Sequence, residues 1–391
     1  MPLATTPYKL GIENIGHQLD HLKHKPSALV TNQSGIDQQG NRTVDILLKK
    51  DFNLKRLLAP EHGITGLVPA EKNVTQSFEP KTKLPVMSTY QGENNPVPSE
   101  KILENIEVLF FDIQDCGMRH YTYISTLYHL LILCEKKGIT VVVFDRPNPI
   151  GPTMEGPLVE EKLQSFLAVA PIPLRHGMTI GEIACYFNEK QLKKPANLVI
   201  VSMKEYKRDT VISHFDAQLS PNIQDIQSCY GYTFLELLAK VDPLFTGRNT
   251  EHPFKILMCY SNHSLSIKTW HEIAAILTEN NLLCHLYTFD NKLLVSKDAG
   301  LYIIIPTINN FSAYNTLIKI LEYFKKHNIE LHFTPWFNLH IGTSTTLDYL
   351  EGKISKEELK RTINEELEGF HKKASPCFHY EPHPRIMYVE D

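Results

Sequence analysis

Four short, mostly apolar runs, each followed directly by a polar loop, constrain the fold of this 391-residue chain more than any other feature. They are rich in β-branched and aromatic residues, as strands are when a parallel sheet is covered on both faces. Segments with helical spacing lie between them, among them residues 44–50 and residues 123–137, the latter followed by Gly138 as a stop signal. Alternating strands and helices predict an α/β fold with a Rossmann-like, doubly wound parallel sheet. The four runs are residues 27–30, 54–59, 108–111 and 140–144.

The length of the chain favours two domains over one. We predict a Rossmann-like catalytic domain over residues 1–215 and a smaller C-terminal α/β domain over residues 216–391, because the stretch from about 205 to 250 has no regular pattern. Beyond that stretch, strand-like and helix-like segments alternate again. They are strand-like residues 254–260 and 301–306 and helix-like residues 267–280, 313–327 and 355–373.

Composition excludes several classes of function. A formal net charge of −4 gives no electrostatic footprint for nucleic acid, and no apolar run approaches the roughly 20 residues of a membrane span. The N-terminus lacks the features of a secretory signal, which favours a cytoplasmic location, although a chain whose signal had been removed would look the same. The seven cysteines include no CxxC pair, so we interpret them as core residues in a reducing compartment.

Several common catalytic and binding motifs are missing. There is no GxGxxG after a strand, no P-loop and no GxSxG elbow. His271 begins a zincin-like motif that ends in alanine, and the group His17, His21 and His24 has no carboxylate or cysteine to complete it. We therefore predict neither a cofactor nor a metal site.

Carboxylates dominate the loops that follow the apolar runs, with Glu61, Asp112, Asp115 and Asp145 as the main examples. Because the carboxyl ends of parallel strands meet at one edge of a sheet, we expect these loops to form the site. Glycoside hydrolysis needs a proton donor and a second group that activates water, attacks the anomeric carbon or positions the substrate's own amide. Chemistry alone indicates a sugar- or amide-handling enzyme, with Glu61 placed to donate the proton.

These side chains also have structural interpretations. Asp145 and Arg146 are adjacent and could form an ion pair that fixes their loop. Tyr121 and Tyr123 could pack against the sheet, and Asp112 could cap the following helix.

For two further glutamates, the sequence favours one interpretation over the other. Residues 179–182 fit a capping box, which favours a structural role for Glu182. Glu155 lies in a loop of glycine and proline with no strong structural reason to be acidic, which favours a functional role.

Taken in order, these loops resemble those of the exo-β-N-acetylmuramidase NamZ family of bacteria. The resemblance weakens toward the C-terminus but covers nearly the whole chain. It implies a Rossmann-like catalytic domain, a smaller C-terminal domain that closes the cleft, and release of N-acetylmuramic acid from the non-reducing end of peptidoglycan fragments. A peptidoglycan-derived saccharide is the implied partner. The matching stretches are residues 29–35 (LVTNQSG), 60–63 (PEHG), 111–124 (FDIQDCGMRHYTYI), 145–151 (DRPNPIG), 155–157 (EGP) and 175–182 (RHGMTIGE).

The resemblance also implies roles for individual residues. Glu61 becomes the catalytic acid, and we count His62 and Glu155 with it as catalytic candidates. The expected substrate-binding residues come from the same loops: Asn32, Asp112, Gln114, Asp115, Arg119, Tyr121, Tyr123, Asp145, Arg146, Asn148, Arg175 and His176.

The chain departs from the family pattern at two loops. Residues 64–69 stand where relatives carry an arginine, and Thr246 replaces an acidic residue ahead of Arg248. Because an arginine clamp suits the lactyl carboxylate of muramic acid, these changes bear on sugar specificity. They motivate an alternative, a catalytically degenerate protein of the same fold that binds cell-wall sugars. A retaining, inverting or substrate-assisted mechanism, and the oligomeric state, are left open.

An amidase or esterase unrelated to that family is a third and weaker interpretation. Both reactions need a nucleophile next to a base that activates it. The sequence identifies no such pair.

Overall fold

The computed structural model has a mixed α/β fold and describes residues 8–69, 72, 77–92, 95–260, 265–288 and 299–390. None of the helices in these ranges is both long and apolar enough to span a membrane. The strands are β1 (Ser27–Thr31), β2 (Leu54–Ala59), β3 (Ser77–Phe78), β4 (Pro85–Ser88), β5 (Val108–Asp112), β6 (Thr140–Phe144), β7 (Thr153–Glu155), β8 (Arg175–His176), β9 (Asn197–Val201), β10 (Val241–Asp242), β11 (Leu244–Phe245), β12 (Ile256–Cys259), β13 (Leu283–Thr288), β14 (Ala299–Ile304), β15 (His332–Phe333) and β16 (Arg385–Ile386). The α-helices are α1 (Thr43–Lys49), α2 (Tyr123–Lys137), α3 (Ile180–Tyr186), α4 (Ile226–Leu238), α5 (Ile267–Glu279), α6 (Ala313–Lys326), α7 (Pro335–Ile341), α8 (Thr345–Leu350) and α9 (Lys356–Ala374).

A seven-stranded sheet forms the centre of the N-terminal half, in the order β3-β4-β2-β1-β5-β6-β9. Its neighbours pair in parallel, except that β3 pairs antiparallel with β4. The four apolar runs of the sequence are β1, β2, β5 and β6, which confirms the predicted doubly wound sheet. The strand order reverses direction between β1 and β5, and ligands of open α/β sheets bind outside the carboxyl ends of the strands at such a point.

Alternate residues of β5 point to opposite faces of this sheet. Val108 and Phe110 belong to the same apolar cluster as residues of α1, whereas Leu109 and Phe111 belong to the cluster that contains α2 and α3. All four side chains are fully buried. Burial on both faces explains why the central strands are apolar without alternation.

A smaller antiparallel sheet follows in the C-terminal half, in the order β11-β12-β14-β13. The later segments predicted from the sequence correspond to β12, α5, β14, α6 and α9. The last strand, β16, returns to the N-terminal half and pairs in parallel with β7. The division at residues 215 and 216 stays a prediction, since the chain crosses between the two halves again at its end.

Helix α4 lies inside the stretch that the sequence left without a regular element. Residues 228–238 of this helix are all buried. A helix that is buried on every side has no polar face, so its sequence lacks the amphipathic period by which a surface helix is recognised. This helix matters because it forms one wall of the candidate site.

The capping box predicted at the start of α3 is present. The Thr179 hydroxyl accepts a hydrogen bond from the backbone N–H of Glu182 (3.3 Å), and the Glu182 carboxylate accepts one from the backbone N–H of Thr179 (2.9 Å). The same carboxylate also binds the guanidinium group of Arg208, with Nη1 2.6 Å from Oε2. The structural interpretation of Glu182 is therefore confirmed.

Candidate active site

A cavity of about 590 Å³ lies between loops of the N-terminal half and helices α4 and α7. Sites for small molecules are typically about 300–1,000 Å³. The N-terminal half contributes the loops after β2, β4 and β5 together with residues 165–167. The lining side chains considered below are Glu61, His62, Tyr90, His120, Tyr121, Thr122, Phe166, Tyr232, Glu236, Lys240, Arg248, Trp336 and His340.

The loop after β2 brings Glu61 and His62 into the cavity. Both side chains are buried, and the Thr122 hydroxyl donates a hydrogen bond of 2.7 Å to Glu61 Oε2. His62 has a backbone φ of 70°, a conformation that is uncommon for a residue other than glycine and is concentrated at functional sites. Its Nδ1 lies 2.8 Å from the Val68 carbonyl oxygen, which can only accept, so Nδ1 carries a hydrogen. In the neutral ring Nε2 is then an acceptor.

The loop after β5 supplies His120, a buried imidazole that lines the cavity. Its ring lies 4.8 Å from that of Tyr232 and 5.6 Å from that of His340, centroid to centroid. Neither ring nitrogen has a hydrogen-bond partner among the described residues. Burial lowers the pKa of His120 well below its usual value, so the ring is neutral at physiological pH. A buried polar group without a partner is costly, and here a ligand could supply that partner.

Helix α4 supplies Glu236, whose carboxylate is buried among basic groups. Lys240 Nζ lies 2.8 Å from Oε1, Arg248 Nε lies 3.7 Å from Oε2, and His340 Nε2 lies 3.5 Å from Oε1. Burial opposes ionisation of this carboxyl, but the nearby cations Arg248 and Lys240 outweigh burial and hold the pKa of Glu236 well below its usual value. Glu236 is therefore ionised over the whole physiological range.

The third basic group near Glu236, His340, is neutral. Burial lowers its pKa, and this effect exceeds the opposing attraction of Glu236. The ionised groups around Glu236 are thus one carboxylate and two cations.

Aromatic rings line other parts of the cavity. Tyr90 and Phe166 contact each other, with ring centroids 5.9 Å apart. Trp336 of α7 keeps 42% of its surface exposed while lining the cavity. An exposed aromatic face next to buried polar groups suits a ligand that has both apolar C–H faces and hydroxyl groups.

Among the residues expected from the sequence, Glu61, His62 and Tyr121 line this cavity. The Tyr121 hydroxyl donates to the Leu219 carbonyl oxygen (3.0 Å). The other expected residues lie elsewhere along the same loops and bind to protein groups.

Asp112, Asp145 and Arg146 belong to this second group. Arg146 pairs with Asp112 through Nε–Oδ1 (2.5 Å) and Nη2–Oδ2 (2.8 Å), and the Thr43 hydroxyl also donates to Asp112. The ion pair considered between Asp145 and Arg146 is therefore wrong, because Asp112 occupies the guanidinium group. Asp112 does not cap α2 either, because the N-cap residue of that helix is Thr122 and it receives no side-chain cap hydrogen bond.

Asp145 instead accepts hydrogen bonds from Thr179 Oγ1 (2.8 Å), Gly181 N (2.7 Å) and Tyr380 Oη (2.7 Å). Burial, with a smaller contribution from Glu182, raises the pKa of Asp145 to about 6. Asp145 thus holds the tail of the chain to the sheet edge.

Glu155 and Arg175 connect the two halves. Arg175 Nη1 lies 3.0 Å from Glu155 Oε1, and both side chains are buried. The Glu155 carboxylate also accepts from the Ser312 hydroxyl (3.0 Å) and from the first backbone N–H groups of α6. It therefore caps α6, which is a structural reason for its charge that the sequence did not reveal.

Arg119 also joins the halves, because its guanidinium group donates to four backbone carbonyl groups. Two belong to Pro157 (2.7 Å) and Ile172 (2.8 Å) of the N-terminal half, and two to His340 (3.1 Å) and Ile341 (2.6 Å) at the end of α7. Burial lowers its pKa to about 9.

The remaining expected residues hold the loops in shape. Most of their hydrogen bonds are to neighbouring loop residues. The pairs are Asn32 Nδ2 to Tyr123 Oη (3.0 Å), Tyr123 Oη to Leu219 O (3.2 Å), Gln114 Nε2 to Pro147 O (2.7 Å), Gly117 N to Asp115 Oδ2 (2.7 Å), Asn148 Nδ2 to Met178 O (3.0 Å) and Met178 N to His176 Nδ1 (3.2 Å).

The sequence interpretation missed most of the wall formed by α4 and α7. One signal was available, because Tyr232, Glu236 and Lys240 are spaced four residues apart and so share a helix face. His340 and Arg248 carry no comparable signal, since only the tertiary fold brings them to Glu236.

Comparison of the sequence with a family profile identifies the family of this chain. The profile described as "Exo-beta-N-acetylmuramidase NamZ, N-terminal" matches residues 27–227, which is just over half of the chain. The chain belongs to the NamZ family. The resemblance drawn from the loops is thereby confirmed.

A curated NamZ relative gives the match over a longer stretch. The peptidoglycan beta-N-acetylmuramidase NamZ of Bacillus subtilis (strain 168) is 39% identical over 243 residues. The aligned part covers 60% of this chain and 57% of the relative, so the chain spans less than two thirds of that protein's length.

Two solved structures share the fold over nearly the whole chain. A DUF1343 family protein from Bacteroides fragilis NCTC 9343 matches with a TM-score of 0.82 and 25% identity, covering 97% of this chain and 100% of that chain. A second DUF1343 protein from the same organism matches with a TM-score of 0.75 and 25% identity, covering 96% and 99%. The likeness thus includes the C-terminal half, which the NamZ profile does not cover.

The side chain of Thr246, the residue expected from the sequence to depart from the NamZ pattern, is buried. Its hydroxyl has no hydrogen-bond partner among the described residues. Two residues on, Arg248 has Glu236 as its nearby carboxylate.

Proposed function

We propose that this NamZ family member is an exo-β-N-acetylmuramidase that releases N-acetylmuramic acid from the non-reducing end of peptidoglycan fragments. The observation that carries the proposal is a buried carboxylate, Glu61, within a cavity whose α4 wall holds an ionised carboxylate and two cations. The activity named for the Bacillus subtilis relative supports it.

In this proposal Glu61 is the catalytic acid. Its proton passes to the glycosidic oxygen as the bond to the anomeric carbon breaks, and water supplies the hydroxyl group that replaces the leaving sugar. The hydrogen bond from Thr122 holds one carboxyl oxygen, so it fixes the direction in which the acid points. His62 would contact the substrate through Nε2, because Nδ1 is already bound to Val68.

Glu236 is the second carboxylate of the proposed site. A positive charge develops at the anomeric carbon in the transition state, and a nearby ionised carboxylate stabilises such a charge. Ionisation of Glu236 is ensured by Lys240 and Arg248.

The same group of charges supports an acidic sugar as substrate. Glu236 carries one negative charge, whereas Lys240 and Arg248 carry one positive charge each, so the group has a net charge of about +1. A partly buried excess positive charge favours a ligand that brings one carboxylate. The lactyl group of N-acetylmuramic acid does so, and N-acetylglucosamine does not.

The test compares para-nitrophenyl β-N-acetylmuramide with the matching glucosaminide. We expect nitrophenol release from the muramide at least tenfold faster than from the glucosaminide. Glu61→Gln should lower the rate by roughly 10²–10⁴-fold, whereas Glu104→Gln, at an exposed glutamate away from the cavity, should leave it unchanged.

Release that is unaffected by Glu61→Gln would remove Glu61 from the mechanism. Release from neither substrate, with calorimetric binding of N-acetylmuramic acid, would support the alternative of a degenerate sugar-binding protein, which the buried Thr246 motivates. Neither release nor binding would count against both.

A further inference from the structure

Two cysteines meet away from the cavity, where the tail of the chain packs on α3. Cys185 lies in α3 and Cys377 in the short turn after α9, and both side chains are buried. Their sulfur atoms are 2.8 Å apart although 192 residues separate them in sequence. Neither residue lines the cavity.

Two further donor groups accompany the sulfur atoms. Glu189 lies one helical turn after Cys185, with Oε1 3.5 Å from its sulfur, and the donor atoms of Cys185, Glu189 and Cys377 all lie within 4.8 Å of one another. His379, two residues after Cys377, is near enough to interact with the thiol of Cys185. Each of the two chain segments therefore supplies one sulfur and one nitrogen or oxygen donor.

We propose that Cys185, Glu189, Cys377 and His379 form a binding site for one divalent transition-metal ion of the zinc type. Two thiolates with an imidazole and a carboxylate are ligands that zinc accepts, and four of them complete a closed structural site. The two sulfur atoms are 2.8 Å apart, so a small outward movement of both side chains would let one ion bind between them.

Coordination changes this geometry in a defined way. With Zn–S bonds of about 2.3 Å in a tetrahedral site, the sulfur atoms would lie roughly 3.8 Å apart, which requires a separation of about 1 Å. Each thiol loses its proton to solvent when its sulfur binds the ion, so one zinc ion releases two protons.

A disulfide is the competing occupant. Oxidation of the two thiols by a small disulfide would form one S–S bond, with two electrons and two protons passing to the oxidant. It would give Glu189 and His379 no role, although both groups point to Cys185. The four donors together therefore favour the metal.

The sequence interpretation assigned no metal site and placed Cys185 among the core residues. The spacing gave no signal, because the two sulfur donors come from segments that only the fold brings together. The consequence is structural, since the ion would tie the tail that carries Tyr380 to α3.

The experiment measures metal retention by the reduced, full-length protein prepared without chelator. After incubation with Zn²⁺ and removal of the excess, we expect about one zinc ion per chain by mass spectrometry. Cobalt in its place should give a sulfur-to-metal charge-transfer band, a readout that needs no variant. Cys377→Ser should lose both signals, whereas Cys284→Ser, at a half-buried cysteine outside the cluster, should retain them.

Zinc removal with a strong chelator should lower the thermal midpoint of the wild type and leave that of Cys377→Ser unchanged. The proposal is overturned if the reduced wild type retains no zinc, or if cobalt gives no charge-transfer band. It is also overturned if peptide mapping of the non-reduced protein shows a Cys185–Cys377 disulfide and the reduced form still takes up no metal.

Discussion

The carboxylates at the loop edge of the central sheet fall into two regions that differ in how their oxygens are bound. Asp112 and Glu155 are held by arginine and by further donors on both oxygens. In the cavity, Glu236 Oε2 has no hydrogen-bond partner among the described residues. The same is true of both ring nitrogens of His120. Burial and charge are common to both regions. We call the region of Asp112 and Glu155 the structural region, because both oxygens of each carboxylate are bound. In the cavity, Glu236 Oε2 and the two nitrogens of His120 offer positions that a ligand could bind.

The largest expected effect is on turnover, from Glu61→Gln. A general acid contributes roughly 10²–10⁴-fold, so kcat should fall by about that factor. The thermal midpoint should change little, because the amide can still accept the hydrogen bond from Thr122. Steady-state kinetics and calorimetry on the same preparation check both parts. If the variant lost activity because it unfolded, Glu61 would have a structural role like that of Asp112 and Glu155.

The next effect is on stability, from Arg175→Met. Removing one member of a buried ion pair costs about 3–5 kcal/mol, because Glu155 is left charged without its partner. Urea unfolding should show this loss, whereas Arg361→Met, at an exposed arginine of α9, should stay within about 0.5 kcal/mol of the wild type. If the folded fraction of Arg175→Met showed a fall in kcat as large as that of Glu61→Gln, Arg175 would have a role in catalysis and not only in stability.

A pH effect should follow from Asp145. Its pKa is raised from 3.8 to about 6, so between these values the folded protein holds a proton that the unfolded chain has released. Stability from this group is therefore present below about pH 4 and is lost as the pH rises to about 6, by up to about 3 kcal/mol. Urea unfolding from pH 4 to 7 should show a slope that Asp145→Asn removes. Equal slopes in both proteins would contradict the assignment.

The smallest effect separates two histidines. His120→Phe removes imidazole nitrogens that have no partner, so stability should stay the same or rise by about 1 kcal/mol while affinity for the saccharide falls. His340→Phe removes hydrogen bonding to the Trp336 carbonyl and a contact with Glu236, so it should destabilise. Thermal melts with and without N-acetylmuramic acid distinguish them. An equal loss of stability in the two variants would place His120 in the structural region.

The sequence predicted the sheet because strands covered on both faces must be apolar throughout, as in 108–111 and 140–144. It also predicted that Glu61 and the other loop residues share one edge. It did not predict which loop side chains would point into the cavity, because that depends on partners distant in sequence. Arg146, for example, forms an ion pair with Asp112, which is 34 residues away in sequence. Helix α4 was not predicted for a different reason, since complete burial removes the periodic pattern that identifies a helix.

The four hydrogen bonds of Arg119 set a dimension of the site. Arg119 immediately precedes His120, and it binds the backbone carbonyl of His340, so one guanidinium group fixes the spacing of the two imidazoles. A side chain at Gly342 would collide with this group, since a Cβ there would lie 2.5 Å from Nη2. The loop that carries His120 and the end of α7 cannot move apart without breaking hydrogen bonds to the buried guanidinium group of Arg119. Under the proposed function, the width of the cavity at this end is fixed, and it limits which substituents a bound sugar can carry.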